Sequence, residues 1–186
     1  MILREGDAGI LYDERSFLDF VLLGDFPWFY VKATDNFFLV THMLMLRPEE
    51  FQSPEDGIYL PKRGEINSSH YRAAEELFLR ICGDNNISVR TIYRMAFNTT
   101  FADPSKHGDL HVDHDFPHKN FLLYLNGFDD GNTLLFDESG KHVQTIYAAK
   151  DKFAFFDGNL HAQQFCKPQQ RRVVFVVTFD GDVNGG

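Results

Sequence analysis

The tripeptide His111-Val112-Asp113 sets an imidazole and a carboxylate two residues apart. On a strand or at its end, residues so spaced project to one side, and both groups can converge on one point. Two ligands do not hold a labile divalent metal well, so a third must come from elsewhere in the fold. His161 is the candidate. It follows the apolar run ending Phe155-Phe156 and the turn Asp157-Gly158-Asn159, an order that sets it at the mouth of a strand. Two imidazoles and one carboxylate on one face of an octahedron leave three positions open, which suits Fe(II) that must also take a bidentate 2-oxo acid and O2. The competing reading is a solvated polar loop, because four of the chain's eight histidines (His107, His111, His114 and His118) crowd into one short segment. An HxD tripeptide alone is a weak signal. Its combination with His161 and with the Arg-led strand that follows carries the reading.

A 2-oxo diacid that chelates a metal through its 1-carboxylate and keto oxygen leaves a distal carboxylate in need of a cation. An Arg rooted on a strand can meet it with a bidentate fork. The last apolar run, Arg171-Arg172-Val173-Val174-Phe175-Val176-Val177-Thr178-Phe179, opens with two candidates. Alternation puts Val173, Phe175, Val177 and Phe179 on one face and Arg172, Val174, Val176 and Thr178 on the other. The bulkier face is expected to pack on the outer layer, which points Arg172 into a cavity and makes Arg171 the second choice.

These groups need a scaffold of strands. From Ile87 the pattern has a period of two: Ile87, Val89, Thr91, Tyr93, Met95 and Phe97 alternate with Ser88, Arg90, Arg94 and Asn98. Further strand-like runs cover 120–126, 133–136, 143–148, 152–156 and 172–179, separated by turn clusters such as Asp129-Asp130-Gly131-Asn132 and Glu138-Ser139-Gly140-Lys141. One helix is well signalled over 69–82: Tyr71, Ala74, Leu77, Phe78 and Ile81 keep helical spacing, Ser68 or Ser69 can cap the start, and Gly83 follows the last turn. The first third mixes apolar runs (17–23, 28–31, 37–46) with turn residues and reads as strands or short helices around a core. Many short strands with one clear helix predict a sandwich or jelly roll. A jelly roll brings the strand carrying His111 beside that carrying His161, whereas a flat meander leaves them several strands apart at about 4.8 Å each. The helix, with its single apolar stripe, should cover a sheet face from outside.

Composition narrows the classes. The 186 residues fit one domain, with 1–86 as supporting elements and 87–180 as the core that bears the site. Twenty Phe and seven Tyr suit a β-rich body with large side chains between layers. A formal charge of −9 offers no basic stripe, so duplex nucleic acid is the poorest partner. No secretory signal and no membrane-length apolar run is visible, which predicts a cytoplasmic protein whose Cys82 and Cys166 stay reduced.

The order of motifs resembles the 2-oxoglutarate/Fe(II)-dependent oxygenase superfamily, in particular its prolyl-4-hydroxylase-like branch. The likeness rests on His111-Val112-Asp113, Tyr124-Leu125-Asn126, Gly131-Asn132-Thr133, Phe155-Phe156-Asp157, His161 and Arg172, spread over residues 94–179. Phe26-Pro27-Trp28-Phe29-Tyr30 is also similar to small members from phage and marine microbes. The resemblance implies a double-stranded β-helix, a jelly roll of cupin-like form with supporting helices. It implies a dioxygenase that hydroxylates a small molecule or peptide and releases succinate and CO2, with Fe(II), O2 and 2-oxoglutarate as its requirements. It further implies that Tyr124 bonds the distal carboxylate beside Arg172, and that Asn98 faces the co-substrate. The chain departs from that pattern at Val174, where many relatives carry a hydroxyl residue, and at Ala162-Gln163-Gln164 after the distal His. His114, Asp115 and His118 either touch substrate or are simply exposed. The alternative functional readings are a cupin-like metal enzyme, an isomerase or another oxygenase, that uses no oxo acid, and a non-catalytic sugar-binding jelly roll.

Overall fold

The computed structural model describes residues 1–32, 38–52 and 61–183, so the apolar run 37–46 begins, at Phe37, outside the described residues. In chain order the elements are β1 (Ile2–Asp7), α1 (Tyr12–Leu22), β2 (Phe29–Lys32), β3 (Phe38–Leu46), α2 (Pro48–Phe51), β4 (Glu65–Ile66), α3 (Tyr71–Asp84), β5 (Ile87–Phe101), β6 (Lys119–Tyr124), β7 (Thr133–Phe136), β8 (His142–Ile146), β9 (Lys152–Asp157), β10 (His161–Gln163) and β11 (Arg171–Val183). The fold is mainly β, a jelly roll of antiparallel strands. A major sheet runs β1-β9-β6-β11-β5-β3-β2, with β4 on β3, and a minor sheet runs β10-β7-β8. The segment before β6 adds to the minor sheet through isolated bridges, His107 to Gln164 and His111 to His161.

Strands β6, β9 and β11 are nearly continuous in apolar residues because both faces of the major sheet are covered. On one face Phe121, Phe153, Phe155, Val173, Phe175, Val177 and Phe179 join the side chains of α1 and α3 in the larger core. On the other, Leu122, Tyr124, Ala154, Phe156 and Val174 meet Leu135 and Ile146 of the minor sheet in a smaller one. The alternation expected for β11 is what divides its side chains between the two cores.

Helix α3 lays Ala74, Leu77, Phe78 and Ile81 on the sheet, and Phe78 packs edge-on against Phe179 at 5.4 Å between centroids. Its ends differ from the expectation. His70 takes the N-cap position without a side-chain bond, and the Ser68 hydroxyl instead accepts the His70 N–H. At the far end Gly83 stays helical. The chain reverses at Asn86, whose φ of 57° lies in the left-handed region that Asn tolerates. The run 17–23 is largely helical, within α1, which buries Leu18 and Val21.

Strict alternation along β5 also fails locally. Register with β11 shifts between Thr178 and Phe179 and between Asp180 and Gly181, each shift inserting one extra residue on β5. Ile92 thereby turns to the larger core, while Tyr93 packs on Phe116 and His114 at centroid distances of 5.0 and 5.7 Å. Both cysteines are buried and free. Among the described residues no helix is long and apolar enough to cross a membrane.

Candidate metal centre and its cavity

The backbones of His111 and His161 exchange both hydrogen bonds, the two N–H groups donating over 3.0 and 2.9 Å. That pairing brings two distant segments to one point, and Asp113 follows two residues on. One donor atom each from His111, Asp113 and His161 lies within 4.8 Å of the others. The donor set fits a divalent transition metal in two further respects. His111 Nδ1 donates to the Asp109 carbonyl at 3.0 Å and His161 Nδ1 to that of Asn159 at 2.8 Å, which leaves each Nε2 lone pair toward the centre. The protonation states also suit ligation. Burial pushes the His161 imidazole down to about 4, against the pull of Asp113. Burial alone would raise the Asp113 carboxyl, but His161, Arg94, His111 and Arg47 hold it well below the usual carboxylate range.

Two arginines that sequence reading did not single out fix Asp113. Arg94 Nη1 donates to Asp113 Oδ1 at 3.1 Å, and Arg47 Nη1 to its backbone carbonyl at 3.1 Å. Burial, with Arg47 nearby, lowers the Arg94 guanidinium to about 10, so it stays charged at neutral pH. Arg94 could have been found, since it shares the inward parity of Asn98 on β5. Arg47 carries no such signal.

Neither His114 nor His118 is exposed. His114 is buried, with Nδ1 donating to Glu49 Oε1 at 2.8 Å and Nε2 accepting from the Thr178 hydroxyl at 2.7 Å, which ties the segment after Asp113 to α2 and β11. The His118 ring lies against Gly158, where an added Cβ would fall 2.5 Å from it, so the turn leading to His161 needs a glycine. Asp115 is exposed, as one of the two sequence alternatives had it.

Two connected cavities meet at the donor set. The inner one, about 80 Å³, runs over the cavity face of the major sheet, and the outer one, about 440 Å³, opens beside β3 and Val112. Arg94, Asn98, His111, Asp113, Gln163 and Arg172 border both. Across the sheet, register aligns four rows of side chains: Arg94–Thr178–Asn120–Phe156, then Ala96–Val176–Leu122–Ala154, then Asn98–Val174–Tyr124, then Thr100–Arg172. The first row touches the donor set through Arg94 on Asp113 and through the Phe156 ring, 5.5 Å from that of His161.

Arg172 occupies the far end of the cavity. It is 4% exposed, donates from Nε to the Gly131 carbonyl at 2.8 Å and from Nη2 to Thr133 Oγ1 at 3.0 Å, and its guanidinium lies 5.4 Å from the Tyr124 ring centre. No carboxylate pairs with it among the described residues. Tyr124 shares the Thr133 hydroxyl at 2.9 Å. A hydroxyl thus stands beside Arg172 although residue 174 is Val, and it comes from the Gly131-Asn132-Thr133 turn and not from β11. Gly131 has φ of 63°, and a Cβ there would meet the Phe128 ring at 2.5 Å, so only glycine makes this turn. Arg171 points to the other face and bonds the Leu22 carbonyl. Asn98 lines both cavities with its Oδ1 2.7 Å from the Thr41 hydroxyl.

No family model matches the chain, and no curated protein matches it in sequence. Solved structures do match in fold. An oxidoreductase of the 2OG-Fe(II) oxygenase family from Burkholderia pseudomallei superposes with a TM-score of 0.66 at 15% identity, over 94% of this chain and 81% of that one. A Pseudomonas putida prolyl-4-hydroxylase gives 0.54 at 13% identity, covering 95% and 90%. A Trichoplax adhaerens prolyl hydroxylase, solved with a hypoxia inducible factor peptide fragment, gives 0.58 at 10% identity, covering 95% and 82%.

Proposed function

We propose that the protein is a 2-oxoglutarate- and Fe(II)-dependent dioxygenase that hydroxylates a C–H bond of a small molecule or peptide: substrate, 2-oxoglutarate and O2 give the hydroxylated product, succinate and CO2. The observation that carries the reading is a pair of histidines with Nδ1 tied to backbone carbonyls, beside an ionised carboxylate, at one end of a cavity whose other end holds a buried arginine that no carboxylate pairs among the described residues. In this reading His111, Asp113 and His161 hold the metal, and Arg172, Tyr124 and Asn98 receive 2-oxoglutarate. Bound Fe(II) supplies the oxidising chemistry with O2 and the oxo acid.

The chain's own residues do the rest. Arg94 and Arg47 keep Asp113 ionised and fixed, so the carboxylate needs no reorientation on binding. Arg172 fixes the distal carboxylate through a charge-assisted bond, with the Thr133 and Tyr124 hydroxyls beside it. Val174, Val176 and Leu122 line the stretch between, where the methylene groups of the oxo acid meet an apolar wall and water is excluded. The outer cavity receives the substrate above the donor set. The direct test is succinate release from 2-oxoglutarate by the Fe(II)-loaded protein across a panel of amino acids, peptides and small metabolites, with uncoupled turnover as the baseline. Substrate-stimulated succinate is expected. A protein that binds Fe(II) yet releases no succinate, coupled or uncoupled, is not this enzyme, and the oxo-acid-independent metal enzyme then takes its place.

A further inference from the structure

We infer that the molecule to be hydroxylated carries a carboxylate, which Arg47 and Arg94 receive in the outer cavity, an inference that rests on the function just proposed and names its substrate class. Both side chains border that cavity. Arg94 is 8% exposed, and its one hydrogen bond among the described residues goes to Asp113 Oδ1, while its Nε is buried without an acceptor. The Arg47 side chain likewise reaches one acceptor among them, the Asp113 carbonyl, and its Nε is also buried and unmade. The two cations stand close enough for Arg47 to depress the Arg94 guanidinium. A guanidinium has five N–H groups to place, and leaving them unmade beside a like charge is costly. Such a pair is retained where an anion completes it.

The balance of charge identifies the missing group. Asp113 sets one buried negative charge against two cations. The other carboxylates on this cavity, Glu50 and Asp109, are exposed. Glu50 Oε2 accepts the Arg47 backbone N–H at 2.7 Å and stands 3.9 Å from Arg47 Nε, so a solvated charge offsets the pair only in part. A divalent metal adds two positive charges at Asp113. Of the oxo acid's two carboxylates one goes to Arg172, and the other does not cancel the metal. The surplus at the arginines therefore survives loading, in a chain whose formal charge is −9. A singly charged, planar carboxylate balances it and matches a guanidinium fork. The rest of the wall is largely apolar, with Val31, Leu39, Met43 and Val112. The substrate is thus an acid with a hydrocarbon body, and Asp113, shared by the arginines and the metal, sets its reacting C–H within a few carbons of the carboxylate.

The test is calorimetric titration of protein loaded with Mn(II) and saturating 2-oxoglutarate, without turnover. The probes are the straight-chain acids from butanoate to octanoate, each beside its primary amide, and the peptide acetyl-Ala-Glu-Ala-amide beside its Gln analogue. At least one acid should bind about tenfold more tightly than its amide, the usual worth of one bond to a charged group. Arg47→Gln should abolish that preference, and Arg47→Lys, which keeps the cation, should retain part of it. Because Arg47 also holds the Asp113 segment, the quantity read is the ratio of acid to amide within each variant. A purely structural role lowers both alike and leaves the ratio unchanged. A preference among the free acids alone assigns a small acid, and one in the peptide pair alone assigns an acidic peptide. Acids that bind no better than their amides, a ratio that survives Arg47→Gln, or an equal loss in both variants would overturn the inference. A wild-type protein that binds Mn(II) but not 2-oxoglutarate would instead remove the function on which it depends.

Discussion

His42 and Asn120 are buried to almost the same depth on opposite faces of the major sheet, 5% and 3% exposed. On the helix face, His42 has both ring nitrogens paired, Nδ1 with the Pro27 carbonyl and Nε2 with the Ser68 hydroxyl, each at 2.7 Å. On the cavity face, Asn120 has neither amide atom paired, and the nearby Arg94 Nε and Gln163 Nε2 are also unmade among the described residues. The helix face is not wholly paired either, since Trp28 Nε1 is buried against its core without a partner among the described residues. The unpaired groups of the cavity face differ in that all three border the inner cavity at the donor set, where a bound ligand can complete them. This difference separates function from scaffold more sharply than burial or hydrophobicity does, since β11 contributes tightly packed residues to both.

The largest effects should fall on one property per face. His161→Ala should abolish stoichiometric Fe(II) binding in a calorimetric titration, because two remaining ligands do not hold a labile divalent ion. It should also leave the unfolding transition cooperative. Iron bound as tightly as in wild type would mean that the donor set is misassigned.

On the helix face the opposite pattern holds. Phe78→Ala removes a fully buried ring that packs on Phe121 and Phe179, and should cost about 3–5 kcal/mol in denaturant unfolding. At temperatures where the variant stays folded, metal affinity should match wild type. A parallel loss of metal affinity would show that the two faces are coupled and would break the comparison.

The pair Arg171 and Arg172 tests the same division within two adjacent residues. Arg172→Ala should weaken 2-oxoglutarate binding by roughly 2–5 kcal/mol, the range for stranding a buried charge partner. Arg171→Ala, which loses a bond to the Leu22 carbonyl on the helix face, should change it little. The reverse ranking in a titration would invert the assignment of the faces.

Alternation along the apolar strand favoured Arg172 as the inward one of the two neighbouring arginines and left Arg171 as the second choice. Local spacing was enough for the stripe of α3 and for the same-side pair His111 and Asp113, while His161, which the structure brings within 4.8 Å of them, was reached from its place after a strand and a tight turn. It failed where long-range geometry decides. Tyr93 changes face because of bulges paired to β11, and no residue on β5 announces them. The Thr133 hydroxyl beside Arg172 was missed because the turn and the strand converge only in three dimensions. Arg47 reaches Asp113 from a segment with no motif at all. Asn120 lay at the start of the run 120–126, but its unpaired state is a property of its neighbours, which the sequence does not order.

The smallest expected effect concerns His42 and would sharpen the contrast at its weakest point, a titratable group on the helix face. The Pro27 carbonyl can only accept, so Nδ1 carries the proton and Nε2 takes the Ser68 hydroxyl, which is the neutral ring. Burial lowers its pKa from 6.5, the Pro27 bond opposes this, and His70, whose ring lies 5.7 Å away, lowers it again. The groups packed around it are Phe26, Phe29, Ser68 and His70, and no carboxylate faces it among the described residues. Since the folded value is below the unfolded one, the unfolded chain binds more protons as pH falls below 6.5, and stability is lost in that window. A His42→Phe variant should therefore lose less stability than wild type between pH 7 and pH 5, although the unpaired Pro27 carbonyl makes it less stable at neutral pH. Denaturant melts at a series of pH values measure both slopes. A variant whose slope equals that of wild type would show that His42 does not titrate there, and that even the charge state of the helix face is fixed by folding.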